Sequence, residues 1–297
     1  MKFISYIFDE KDGYGILSED GKSVIPMEVL LSKLNKEVPK NLLEFIRISS
    51  DSLILDLKEV LNDNEFSVVS IESLKFSAPI PNPKRNVFCL GKNYIDHAME
   101  IDIPGIEPEI PEFPIYFTKV TDPAMGHMDN VLIPNNITDM GDYEVELAII
   151  IGKDGKDITF DDAEDYIFGY SIANDISARD IQTKHNQWFK GKSFDTFTPM
   201  GPYLVHKAEI AFPIELNISC KVNGELRQHS NTKNLIFDIP YIISDLSKGL
   251  TLRAGDIILT GTPAGVGMGF NPPIFLKAED VVECSIEKLG TLVNTIK

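Results

Sequence analysis

Gly141-Asp142-Tyr143-Glu144-Val145-Glu146-Leu147-Ala148-Ile149-Ile150-Ile151-Gly152 is the stretch from which the rest of the chain is read. Its β-branched and aromatic residues, closed by glycine at each end, predict a strand over Tyr143 to Ile151. Side chains alternate along a strand, so Glu144 and Glu146 share one face while Tyr143, Val145 and Leu147 take the other. A carboxylate pair leading into a wholly apolar run is at least partly buried. Like charges then raise each other's pKa, and desolvation adds roughly several kcal/mol. A divalent cation removes that cost. Taken alone, a Glu-x-Glu pair more often lines a solvated strand edge, so a metal reading needs a third ligand and counter-charges from other segments.

The nearest source of a third ligand is Gly169-Tyr170-Ser171-Ile172-Ala173-Asn174-Asp175-Ile176, a short apolar strand ending in Asn-Asp. Asp175 sits at a strand-to-helix junction, where it serves equally as a helix N-cap or as a hard oxygen ligand. With Glu144 and Glu146 it makes an all-carboxylate set suited to Mg²⁺ or Mn²⁺, whereas zinc would be expected to recruit His or Cys. In the helix expected from Ile176 to Gln182, Arg179 and Gln182 are three apart. They share a face from which both can bond a ligand held at the metal, although an exposed helix face reads the same way.

Farther out, Gly91-Lys92-Asn93-Tyr94-Ile95-Asp96-His97-Ala98-Met99-Glu100 follows another apolar strand. If Tyr94 to Glu100 is helical, Glu100 lies one turn from His97 and orients its imidazole as a general base; a surface His-Glu pair is the competing reading. Lys192 lies in Lys190-Gly191-Lys192-Ser193, beside Trp188 and Phe189. Gly261-Thr262-Pro263-Ala264-Gly265-Val266-Gly267-Met268-Gly269 is a glycine-rich loop that brings backbone amides and the Thr262 hydroxyl close to a bound oxyanion, or else simply makes tight turns. It is not a nucleotide loop, because it lacks a Gly-Lys-Ser/Thr ending and Asn271-Pro272-Pro273 forbids a helix start after it. No Gly-x-Ser-x-Gly elbow is present, which disfavours covalent acyl chemistry.

Composition bounds the partners. The chain of 297 residues has 43% hydrophobic residues, enough for a real core, and a formal charge of -17 that argues against nucleic acid or an anionic membrane surface as partner. An acidic chain that handles an acidic metabolite must gather positive charge locally. Cys89, Cys220 and Cys284 form no Cys-x-x-Cys pair and fit a reducing compartment. The N-terminus turns acidic by Asp9-Glu10, too soon for a signal peptide, and no apolar run approaches the ~20 residues of a membrane span, so a cytoplasmic protein is expected.

Residues 1–78 read as a small α+β unit with short strands and helices at Met27 to Leu34, Asn41 to Ile48 and Ser52 to Leu61, the last capped by Asp51 or Ser52. Pro79-Ile80-Pro81-Asn82-Pro83 then favours an extended connector. Residues 79–297 alternate strand-like runs with turn signals, and their helices are few: Phe160 to Asp165, Ile176 to Gln182 and Ile239 to Lys248. Strands and helices do not alternate regularly, so a compact, β-rich α+β fold is expected in place of a doubly wound sheet.

These motifs in this order resemble the fumarylacetoacetate hydrolase family: Cys89 to Tyr94 with Asp96-His97, Asp142 to Leu147, Gly169 to Gln182, Gly191 to Asp195, Gly201-Pro202, and Thr260 to Gly267. The resemblance covers about residues 79–297, and residues 1–78 resemble the small N-terminal domain of bacterial members. It implies a sandwich-like β-roll, a homodimer, Mg²⁺ or Mn²⁺ held by Glu144, Glu146 and Asp175, and substrate contacts from Arg179, Gln182, Lys192 and Thr262. It also implies a lid-borne His97 and Glu100 dyad. The animal fumarylacetoacetate hydrolases place a fourth acidic ligand where this chain has Asn93, which speaks against fumarylacetoacetate as substrate. The expectation is a metal-dependent enzyme of acylpyruvate or oxaloacetate-type 2-oxo acids, acting by hydrolysis or decarboxylation. An isomerase of hydroxymuconate-type acids and a catalytically weak metabolite- or partner-binding protein are the alternatives.

Overall fold

The computed structural model describes residues 1–62, 66–100 and 109–297. Its frame is an eleven-stranded sheet running Val69–Ser70, Ser23–Pro26, Lys11–Leu17, Lys2–Phe8, Met200–His206, Ile167–Asn174, Val145–Ile151, Ile257–Leu259, Val87–Gly91 and Ile115–Lys119, with Lys75–Ser77 beside Lys2–Phe8. Within it only Ile257–Leu259 and Val87–Gly91 pair parallel. A second, five-stranded sheet runs Glu225–Asn231, Asn217–Val222, Val281–Ile286, Gly290–Ile296 and Asn130–Val131.

The strand Val145–Ile151 is buried along its whole length, and alternation sends its side chains into two different cores. Val145, Leu147, Ile149 and Ile151 join a cluster with Ile218, Cys220, Cys284 and Ile286 of the smaller sheet. Ala148 and Ile150 face the other way, into a cluster with Phe3, Leu30, Phe45 and Phe168 that the helices Met27–Lys33, Leu42–Ile48 and Asp51–Leu61 cover. A strand sandwiched on both faces needs the near-continuous apolar run that Leu147 to Ile151 supplies. The architecture is α+β, two sheets sharing one core with helices against the outer face of the larger. The sheet is continuous across residues 78 and 79, because Lys2–Phe8 pairs with Met200–His206 through Lys2↔Val205 and Phe3↔Leu204.

Several local expectations change. The strand predicted from Tyr143 is interrupted: Gly141–Asp142 pairs with Ser177–Ala178, and the long strand begins only at Val145. Side chains take the intervening backbone donors, Asp142 Oδ1 from Tyr143 N at 2.9 Å and Asn174 Oδ1 from Glu144 N at 2.9 Å. The helix expected at Ile176 starts at Arg179 and runs to Lys184, because Ser177 and Ala178 are spent on that bridge. Phe160 to Asp165 yields only a single 3₁₀ turn at Ala163–Tyr166. Ser50, not Asp51 or Ser52, caps the third helix, accepting from Leu53 N at 3.2 Å. The strands Glu225–Asn231 and Gly290–Ile296 complete the smaller sheet; the first is a polar sheet edge with no apolar alternation to reveal it in the sequence.

Candidate active site

Glu144, Glu146 and Asp175 converge, with one carboxylate oxygen from each lying within 4.8 Å of the others. Glu144 and Glu146 come from the entrance of the central strand and Asp175 from the end of its neighbour, held in place by Asp175 N donating to Glu144 O at 2.9 Å. All three are buried. Asp175 does not cap the following helix; its side chain is taken by two lysines instead.

Lys192 Nζ bridges Glu144 Oε2 at 2.7 Å and Asp175 Oδ2 at 2.8 Å. Lys119, fully buried, bonds Asp175 Oδ1 and donates to Ile176 O at 3.1 Å and Phe197 O at 2.7 Å. An ammonium has three donors, so Lys119 is saturated, while Lys192 spends two of its three among the described residues. The short helix Phe189–Lys192 carries Lys192 to the site because Gly191 lets it approach: a Cβ there would stand 2.6 Å from Gln182 N and 2.8 Å from Ala178 O.

The carboxylates differ electrostatically. Burial opposes ionisation of Glu144, but Lys192, Arg179 and His97 outweigh it and hold its carboxyl down at about 2. Burial, then the charges of Asp175 and Glu144, push Glu146 well above the usual carboxylate range; Lys192 and the Gly261 N–H, at 2.7 Å, offset only part of this. The Lys192 ammonium is disfavoured by burial, yet Asp175 and Glu144 keep it above the ordinary lysine range.

Arg179 Nε donates to Asp142 Oδ2 at 2.8 Å, and its Nη1 reaches Glu144 Oε1 at 2.7 Å and Gln182 Oε1 at 3.0 Å. Its Nη2 is buried with no partner among the described residues. His97 Nδ1 lies 2.6 Å from Glu100 Oε1, and Glu100 Oε2 accepts from Gly265 N at 2.7 Å, which ties the dyad to the glycine-rich loop. Thr262 lines the site, but its hydroxyl donates to Val145 O at 3.0 Å and accepts from Gln228 Nε2 at 2.8 Å. Its hydrogen is therefore committed to the protein.

Asn93 is equally committed, its Oδ1 accepting from Phe237 N at 2.8 Å and its Nδ2 donating to Phe237 O at 3.1 Å and Thr260 O at 2.8 Å. It clamps backbone. Sequence reasoning missed Lys119, Asp142 and Gln228. Buried Asp142 accepts from Tyr143 N, Gly267 N, Met268 N and Arg179 Nε; Gln228 joins Val145 N to Thr262 and Pro263 O. A lone Lys at the end of a strand carries no signal, and the roles of the other two depend on pairings remote in sequence.

Glu144, Glu146, His97, Arg179, Gln182, Lys192 and Thr262 line a cavity of about 50 Å³ together with Trp188 and Phe117, whose rings meet edge to face at 5.4 Å. Gly91 makes room for Trp188, since a Cβ there would stand 2.1 Å from the indole. A larger hollow of about 360 Å³ by Ser5–Tyr14 and Lys75–Asn82 contains none of the carboxylate cluster, and its Lys75 is paired with Asp129.

The family model for the fumarylacetoacetate (FAA) hydrolase C-terminal domain matches residues 86–297. The chain is 44% identical to oxaloacetate tautomerase YisK of Bacillus subtilis (strain 168) over 305 aligned residues, covering 100% of both. Its fold is similar to that of a fumarylacetoacetate hydrolase from the psychrophile Exiguobacterium antarcticum, with TM-score 0.83 and 36% identity over 100% of this chain and 99% of that one. It is also similar to maleylpyruvate hydrolase from Sphingobium sp. SYK-6 in complex with manganese(II) and pyruvate, with TM-score 0.78 and 26% identity over 100% and 98% of the two chains. The chain belongs to the fumarylacetoacetate hydrolase family, an enzyme family.

Proposed function

We propose that this protein is a divalent-cation-dependent enzyme that moves a proton between C3 and the 2-oxo oxygen of oxaloacetate-type acids, interconverting keto and enol forms. The observation that carries the reading is a buried carboxylate trio beside unspent N–H donors. Glu146 forms no ion pair among the described residues and is only partly offset by Lys192, and three hard oxygens within 4.8 Å fit Mg²⁺ or Mn²⁺ by donor chemistry. A cation held by Glu144, Glu146 and Asp175 would act as a Lewis acid toward the charge that develops on the 2-oxo oxygen.

The chain's own groups supply the rest. Arg179 Nη2 and the Gln182 amide nitrogen donate to nothing among the described residues and are available to a substrate carboxylate. With Glu100 on Nδ1, the Nε2 of His97 is left to take the proton from C3 and deliver it to the 2-oxo oxygen, and to run the transfer in reverse. The name of the Bacillus relative supports tautomerisation. Loss of CO₂ from oxaloacetate would instead leave the enolate of pyruvate, with its charge on the same 2-oxo oxygen. Hydrolytic C–C cleavage is the second reading, favoured by the dyad and by the likeness to maleylpyruvate hydrolase.

The test follows the fall of the enol absorbance of oxaloacetate with Mg²⁺- or Mn²⁺-loaded protein. His97→Asn should slow it by roughly 100-fold or more, the usual range for a lost general base. Wild-type rates no faster than metal in buffer overturn the reading. A higher kcat/KM for acylpyruvate hydrolysis would shift it to the second.

A further inference from the structure

Lys92 touches none of the carboxylates of the site through an ion pair or side-chain hydrogen bond among the described residues. It lines the same cavity as Glu144, Glu146, Arg179 and Lys192, and it is half-buried where Lys192 and Arg179 are each only 2% exposed. Lys92 therefore stands toward the rim, with Trp188 and Gln182, while the other cations form the floor.

Its backbone is held there. Lys92 adopts φ +54, a left-handed conformation that a non-glycine residue rarely takes and that costs about 1 kcal/mol or more. On its N-terminal side the chain leaves the strand Val87–Gly91, and on its C-terminal side Asn93 is clamped to Phe237 and Thr260. The reversal is over-determined by its neighbours.

Its charge is unmatched. Lys192 is paired to Glu144 and Asp175, and Arg179 to Asp142 and Glu144. Lys92 forms no ion pair or side-chain hydrogen bond among the described residues, although the chain carries 45 acidic residues against 28 Lys and Arg. Of the cations lining the cavity, it is the one with no carboxylate of its own among those residues.

We infer that Lys92 is a specificity-determining residue that receives the second carboxylate of a dicarboxylic 2-oxo acid. This rests on the proposed function for the substrate's placement: its C1 carboxylate and 2-oxo oxygen lie toward the floor, and its far end lies at the rim. A methyl or aryl group at that end would leave the ammonium without a partner, whereas a carboxylate completes a charge-assisted hydrogen bond. The residue thus selects dicarboxylates over monocarboxylates without touching the reacting atoms.

The experiment measures binding first, so that it does not depend on turnover. Mn²⁺-loaded wild type, Lys92→Met and Lys92→Arg are titrated calorimetrically with malate and with 2-hydroxybutanoate, unreactive acids that differ at the far end. Wild type should prefer malate by roughly 10-fold or more, the range for a hydrogen bond to a charged group. Lys92→Met should erase that preference and Lys92→Arg restore most of it. No preference in wild type, no malate binding, or a preference that survives in Lys92→Met overturns the inference. The kinetic arm compares KM and kcat for oxaloacetate: Lys92→Met should raise KM by a similar factor with kcat changed less than about threefold. A fall confined to kcat contradicts it. If oxaloacetate is not turned over but the malate preference behaves as stated, the reaction assignment fails and the role of Lys92 stands.

Discussion

Asp142→Asn is an isosteric test of how the site is held. The Asp142 carboxylate is fully buried and accepts from Tyr143 N at 2.9 Å and Gly267 N at 2.7 Å on Oδ1, and from Met268 N at 3.0 Å and Arg179 Nε at 2.8 Å on Oδ2. All four partners are donors. An asparagine amide can satisfy only the pair that meets its oxygen; in either orientation its NH₂ group faces two further donors. Two bonds to a charged acceptor are lost, each worth about 1.5–3 kcal/mol, for a total of about 3–6 kcal/mol. For a chain of this size that lowers Tm by on the order of 10 °C. The loss also slackens the glycine-rich loop and the Nε anchor of Arg179, so KM for oxaloacetate should rise. Differential scanning calorimetry on the metal-free protein, with steady-state kinetics on the loaded one, reads both effects. A Tm within about 3 °C of wild type would refute the claim that this carboxylate ties the loop to Arg179.

Two further outcomes follow from the same geometry. Because Glu144 is held at about 2 in the fold, below its ordinary 4.5, it contributes stability present above pH 4.5 and lost as pH falls toward 2. Glu146 has the opposite sign: its raised pKa favours the fold below pH 4.5 and loses that contribution as pH rises. Glu146→Gln should therefore stabilise the metal-free protein at pH 7 but not at pH 4, as read by urea unfolding; an equal effect at both would contradict the assignment. Asn93→Asp puts acceptors against Phe237 O and Thr260 O, so it should destabilise by about 2–4 kcal/mol in urea without tightening Mn²⁺ binding. Tighter Mn²⁺ binding would make position 93 a latent ligand.

What the sequence disclosed is what local periodicity encodes. The alternation through Glu144 and Glu146 is read at a distance of two residues, and the Arg179 to Gln182 and His97 to Glu100 pairings at three; the first pair converges in the fold and the other two are in contact. The α+β class followed from irregular strand spacing. The supporting polar groups were not legible because their partners lie far away in the chain: Lys119 is 56 residues from Asp175, Gln228 83 from Val145, and Asn93 167 from Thr260. Thr262 shows the converse. A hydroxyl in a glycine-rich loop looks available in sequence, yet Val145 O consumes its hydrogen in the fold.

The carboxylate trio is tested most directly by Mn²⁺ binding followed by electron paramagnetic resonance, with circular dichroism to verify the fold. Wild type should bind one Mn²⁺ per chain, and Glu146→Gln, with an unchanged circular dichroism spectrum, should weaken that binding by roughly 100-fold or more and lose oxaloacetate tautomerisation in parallel. Mn²⁺ affinity and turnover in Glu146→Gln equal to wild type would contradict a cation site built on Glu144, Glu146 and Asp175.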